Sequence, residues 1–161
     1  MTPFDRAFDL LIAREGGFVD DPKDPGGATR FGISLRAYPH LGYDGIKNLT
    51  REQAKALYLV DYWNKIHGDL LPKGFALCMF DFAVNSGVQR AIGVLQDVLG
   101  VTTDGQFGPR TQSALMRIPE RDLIEQFSAE RILFLTQHRQ FNRFGRGWAR
   151  RVIGTAMEAV S

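Results

Sequence analysis

Residues 15–34 read Glu15-Gly16-Gly17-Phe18-Val19-Asp20-Asp21-Pro22-Lys23-Asp24-Pro25-Gly26-Gly27-Ala28-Thr29-Arg30-Phe31-Gly32-Ile33-Ser34. Five glycines and two prolines in this stretch specify backbone shape and close approach rather than core packing. Upstream, residues 3–15 carry helix signals. Pro3 suits a first turn, Asp5 complements the positive N-terminal end, and Phe4, Phe8, Leu11, Ile12 and Glu15 recur at helical spacing. The spacing sets Glu15 on the apolar face at the C-terminal end of the helix. Partial burial and the helix dipole there both favour a carboxyl that keeps its proton. Gly16 and Gly17 then stop the helix. A carboxyl delivered in this way into a glycine-rich turn is a candidate general acid; the plainer reading is a core-edge Glu paired with Arg14 or Arg30.

Beyond the turn, Phe31-Gly32-Ile33 is expected to form a short strand paired with Phe18-Val19. Asp20 and Asp21 read as turn-makers, whereas Asp24 shares the loop with Thr29 opposite Glu15. The aspartates lack calcium-loop spacing, so no metal is expected. Thr50-Arg51-Glu52-Gln53 is a capping box opening a helix to about residue 64, with Tyr62-Trp63 near its end as aromatic faces for a sugar or for the core. Phe75 to Val84 is apolar all round and predicts the central buried helix, on which Asp81 must find donors. A helix over 88–99 follows, then a structured loop 101–111, a short helix to about 118 and a long helix over about 120–142. Gly145 and Gly147 are expected to separate that helix from a last one carrying Trp148, Val152 and Ala156.

With 161 residues, 44% of them hydrophobic, the chain can bury a substantial core. The N-terminus lacks a basic stretch followed by an apolar one, so no signal peptide is expected, and no membrane span. The single cysteine, Cys78, permits no internal disulfide, which suits a reducing cytoplasm. Charge is uneven: residues 1–87 carry 10 basic and 11 acidic side chains, residues 88–161 carry 10 and 7. Arg139, Arg143, Arg146, Arg150 and Arg151 lie in a stretch with no acid between Glu130 and Glu158, a face suited to anionic polymers or else ordinary surface arginines with some internal ion pairs.

The block Glu15-Gly16-Gly17-Phe18-Val19, Asp21-Pro22, Asp24-Pro25-Gly26-Gly27, Thr29 and Phe31 to Ser34 closely resembles the N-terminal motif of glycoside hydrolase family 108. These are lysozyme-like N-acetylmuramidases, often phage or prophage endolysins. Tyr62-Trp63 and Asp81 to Gly87 are similar to the family's later blocks. Leu95-Gln96 with Asp104-Gly105-Gln106-Phe107-Gly108-Pro109-Arg110-Thr111 resembles the DGxxGPxT signature of its peptidoglycan-binding region. The resemblance implies a mainly α, lysozyme-like fold with a small β element beside the active-site loop. It also implies a catalytic region over 1–87 and a helical peptidoglycan-binding region over 88–161 packed onto it as one body.

The family's catalytic glutamate maps onto Glu15. A looser similarity to phage lysozymes of glycoside hydrolase family 24 adds Asp24, nine residues on, and Thr29 as water-positioning groups, with Asp21 in reserve. Tyr62, Trp63, Asn85 and Asp104 are the expected substrate-binding residues. The implied activity is a cofactor-free muramidase acting on bacterial peptidoglycan, held in the cytoplasm until a holin releases it to the wall. The C-terminal arginines would touch an anionic envelope surface, and no nucleic-acid module is present. A non-catalytic wall-binding or secretion-assisting protein is the alternative. A peptidase or amidase would call for zinc ligands or a Cys/His pair.

Overall fold

The computed structural model describes all residues, 1–161, and they gather into two compact units, Met1–Asp61 and Tyr62–Ser161. The chain is mainly α with one small antiparallel sheet, a lysozyme-like architecture. In the first unit, helix α1 (Pro3–Arg14) opens on a reciprocal cap. The Thr2 side chain accepts from the Asp5 amide, and the Asp5 carboxylate accepts from the Thr2 amide. Phe4, Ala7, Phe8 and Leu11 form its buried face, and the Phe8 ring lies 5.8 Å from that of Tyr58.

The expected strand pairing is corrected. Strand β1 (Thr29–Arg30) pairs with β2 (Ile33–Ser34), Thr29 opposite Ser34 and Arg30 opposite Ile33, while Val19 bridges Thr29. Phe31 (φ 52°) and Gly32 (φ 76°) both have positive φ, the two-residue turn whose twist matches antiparallel strands. Phe31 and Gly32 are therefore the turn itself. Helix α2 (Gly42–Lys47) follows, then α3 (Arg51–Tyr58), opened by the Thr50–Gln53 capping box. Helix α3 was expected to reach residue 64, but Leu59–Trp63 widens into a π-helical turn. Asp61 on that turn accepts from the Tyr38 hydroxyl at 2.9 Å.

In the second unit, α4 (Lys73–Ser86) is buried from Gly74 to Ala83. Helices α5 (Val88–Leu99), α7 (Glu120–Thr136) and α8 (Phe141–Val160) pack against it, and α6 (Pro109–Leu115) joins α5. Packing and motif order thus divide the chain at different places, because α4 finds its partners among the C-terminal helices. Pro72 gives α4 no side-chain cap; Glu120 Oε1 does so from the start of α7, accepting from Gly74 N at 2.6 Å and Phe75 N at 3.1 Å. Phe75, Phe82 and Phe127 meet edge to face in the core.

The long helix ends at Thr136, not near 142, and α8 runs straight through Gly145 and Gly147. The break falls at residues 137–140. Gly145 is a packing glycine: a Cβ there would sit 2.7 Å from the Phe141 ring. No helix is long and apolar enough to cross a membrane.

Asp81, 2% exposed, holds the second unit together. Its Oδ2 lies 2.8 Å from Arg131 Nη1 of α7, and its Oδ1 accepts from Arg151 Nη2 of α8 at 2.9 Å and Nε at 3.1 Å. Burial pushes the carboxyl up, but the two guanidiniums outweigh it and hold Asp81 below the ordinary carboxylate range. Arg151, one of the C-terminal arginines, is therefore engaged in an internal ion pair.

Asp81→Asn should leave two guanidiniums without their anion and cost roughly 3–5 kcal/mol, read by chemical denaturation. Because the folded carboxyl titrates below its unfolded value, its contribution is complete above about pH 4–5 and is lost as pH falls through the lower folded value. The wild-type acid limb of the stability–pH curve should flatten in Asp81→Asn.

Candidate active site and its supporting loop

Glu15 is the C-cap residue of α1. Its backbone leaves the helical region (φ −84°, ψ 143°) while its amide still bonds Leu11 and Ile12 carbonyls. This abrupt exit sends the half-buried side chain toward the β1–β2 turn. A Cβ built on Gly32 would stand 3.4 Å from the Glu15 carboxyl carbon and 2.5 Å from the Tyr58 hydroxyl. Only glycine fits there, on two counts: the positive φ, and the carboxyl and phenol that close over it. The Tyr58 hydroxyl donates to the Phe31 carbonyl at 3.0 Å, pinning the turn on which Glu15 rests. Helical spacing alone gives no sign of this role for Tyr58; the signal is a phenol that needs a partner once buried.

The other loop candidates are engaged locally. Asp24 Oδ1 accepts from Gly26 N at 2.8 Å, and the Thr29 hydroxyl donates to the Gly27 carbonyl at 3.1 Å. Asp21 accepts from Lys23 N at 2.9 Å, the expected turn-maker, whereas Asp20 accepts from the Tyr43 hydroxyl at 2.8 Å. Asp20, Asp21 and Asp24 are close in sequence and separate in their bonding. No group of three or more His, Cys, Asp or Glu side chains forms a cluster able to hold a metal ion.

In the second unit, Trp63 is corrected from a sugar platform to a core residue. It is 1% exposed, its indole donates to Asp69 at 2.9 Å, Phe80 meets it edge to face, and Gly68 lies so close that a Cβ would come within 2.3 Å. Tyr62 is half-buried on the π-helical turn. Asn85 is exposed at the end of α4, and its amide donates to the Asp81 carbonyl at 2.6 Å.

Asp104 lies in a loop that is clamped from within by the buried Gln96. The Gln96 Nε2 donates to Asp104 Oδ1 (2.8 Å), to the Gln106 carbonyl (2.9 Å) and to Thr111 Oγ1 (3.2 Å). Its Oε1 accepts from Asp104 N (3.0 Å) and Gly105 N (2.9 Å). The Gln106 amide and the Gln96 side chain hold the Asp104 carboxyl below its ordinary range. Gly105, at φ 71°, completes the reversal. One side of this loop lines a cavity of about 480 Å³ with Gln106, Pro109 and Arg110. Asp104, Gly105 and Thr111 of the Asp-Gly and Gly-Pro-x-Thr motif are thus all partners of one buried amide side chain.

Residues 8–87 match the family described as Glycosyl hydrolase 108, and residues 90–153 match a Predicted Peptidoglycan domain. The structure of Brucella abortus SagA is similar over 98% of this chain and 93% of that one, at 38% identity and a TM-score of 0.88. The chain belongs to glycoside hydrolase family 108. It is a glycosidase acting on peptidoglycan. No curated protein matches it. The family match includes the α1 end, the hairpin and Tyr58, and the peptidoglycan match includes the Gln96-clamped loop.

Two substitutions test this architecture. Gly32→Ala should displace Tyr58 and Glu15, cost about 1–3 kcal/mol, and reduce turnover more than a surface Gly→Ala at Gly16, where a Cβ meets nothing. Gln96→Leu should orphan the loop amides and cost about 1–3 kcal/mol. Hydrogen exchange should then quicken at Asp104 and Gly105 before it quickens in α4.

Proposed function

We propose that the enzyme is an N-acetylmuramidase that cleaves the β-1,4 bond from N-acetylmuramic acid to N-acetylglucosamine, with Glu15 as general acid. The observation that carries this reading is the delivery of the Glu15 carboxyl by the end of α1 onto the Phe31–Gly32 turn. Glu15 would give its proton to the glycosidic oxygen as the bond to the muramic acid C1 breaks. Water would add at C1, and N-acetylglucosamine would leave with a free 4-hydroxyl. Asp24 and Thr29 are the candidates for orienting that water. Asp24 Oδ2 and the lone pairs of the Thr29 hydroxyl remain available after their loop bonds.

The same reading makes the protein an endolysin of phage or prophage type, cytoplasmic until a holin admits it to the wall. Arg139, Arg143, Arg146 and Arg150, all exposed, would add salt-sensitive adhesion to the anionic envelope. The match of residues 90–153 to a peptidoglycan domain favours wall binding by the second unit alongside hydrolysis.

Digestion of purified Gram-negative sacculi, followed by borohydride reduction and mass spectrometry, tests the bond and the acid. Wild type should release fragments ending in reduced N-acetylmuramic acid, and a folded Glu15→Gln variant should lose about 10²–10⁴-fold in rate. Fragments ending in reduced N-acetylglucosamine would sink the bond assignment. Sacculi bound but left intact by wild type would overturn the muramidase assignment. Asp24→Asn and Thr29→Val, assayed on the same sacculi, should each lower kcat if they orient the water.

A further inference from the structure

Between α4, α5, α7 and α8 of the second unit lies a cavity of about 360 Å³, whose walls carry Arg90, Arg131, Arg151, His138 and Trp148 and no acidic side chain. The nearest anion is Asp81, and its carboxylate is already engaged by Arg131 and Arg151. Three guanidiniums against one carboxylate leave an excess of positive charge around a partly enclosed space, which calls for an anion. Arg90 stacks on Phe134, its Cζ 4.9 Å from the ring centroid, and no carboxylate pairs with it. Arg131, only 4% exposed, bonds Asp81 through Nη1 while its buried Nε–H has no acceptor. His138 Nδ1 accepts from Gln140 N at 3.2 Å, which leaves Nε2 as the ring's donor. The opposite character is supplied by Trp148, edge to face with His138 at 5.1 Å, and by Phe134 and Leu135.

We infer that this cavity is a carboxylate-binding subsite that takes the peptide stem of peptidoglycan, with Arg90 gripping a stem carboxylate and Trp148 covering the adjoining aliphatic part. The planar guanidinium fork matches a carboxylate, and the volume lies in the range of small-ligand pockets. Cell-wall stems combine these two chemistries, a chain of small aliphatic residues bearing several free carboxylates. The choice of a stem peptide as the ligand rests on peptidoglycan being the substrate; the anion preference rests on the cavity alone.

The test is titration of the full chain with the tripeptide L-alanyl-γ-D-glutamyl-meso-diaminopimelate, followed by NMR at the two tryptophan indoles. Trp63, buried and bonded to Asp69, serves as the internal control. The Trp148 indole should shift and saturate. Arg90→Gln should weaken binding about tenfold, and the peptide with its carboxylates amidated should bind about as poorly. Arg117→Gln, which removes the same charge from an exposed residue outside the cavity, should bind as wild type does.

An unmoved Trp148 at about 10 mM peptide, equal binding of the amidated peptide, or equal weakening by Arg117→Gln would each overturn the inference. Peptide-stripped glycan that shifts Trp148 when the tripeptide does not would assign the carboxylate to the lactyl group of muramic acid and overturn the stem assignment. Sacculus hydrolysis is recorded on the same wild-type sample. Hydrolysis without peptide binding defeats this subsite and leaves the muramidase reading standing; peptide binding without hydrolysis does the reverse.

Discussion

A carboxylate in the middle of a helix that is apolar on every side has no water to turn to, and Asp81 answers that constraint with two arginines from helices far along the chain. Each of the three groups is costly to bury alone. Together they form a tie of short, charge-assisted bonds across α4, α7 and α8. The tie favours one rotation of α7 and of α8 about their axes, because only that rotation brings Arg131 and Arg151 to the same carboxylate. Phe134, His138 and Trp148 then fall where they line a common cavity. The positive character of that cavity is a consequence of the same arithmetic of charge, two cations meeting one anion with a third arginine close by.

The first unit solves a different problem, which is to stop a helix and hold a carboxyl against a turn. No buried ion pair is needed for this, only backbone conformation. Glu15 leaves helical geometry at the residue that carries the side chain, and a turn with two positive φ values comes up beneath it. Tyr58 locks the turn through the Phe31 carbonyl. Gly32 is thus essential for its missing Cβ as much as for its φ, since a methyl group would displace both neighbours. The clamp around Gln96 uses the same economy in the second unit, with one side-chain amide organising Asp104, Gly105, Gln106 and Thr111. Motif residues that look like ligand contacts in a string can be partners of one another in space.

Local sequence sufficed wherever a signal and its consequence lie within a few residues. The capping box at Thr50 starts its helix because Thr and Gln side chains reach only three residues along. The apolar run from Phe75 fixes a buried helix, and the glycines after Arg14 end α1. The failures were of two kinds. Gly145 and Gly147 looked like breakers, but packing of Gly145 against Phe141 favours a helix that propensity alone would interrupt. Tyr62-Trp63 looked like a sugar platform, but a π-helical turn carries Trp63 into the core.

The sequence by itself determined the family, the helical class, the stop of α1 at the residue that bears a carboxyl, and the need of Asp81 for donors. All four follow from residue types at short, fixed spacing. Only the tertiary structure decided which cations answer Asp81, where Tyr58 directs its hydroxyl, and that Arg90, His138 and Trp148 share one cavity. Those choices join residues separated by tens of positions. Their partners are selected by the packing of whole helices, and periodicity within one helix carries no record of what the next helix presents to it.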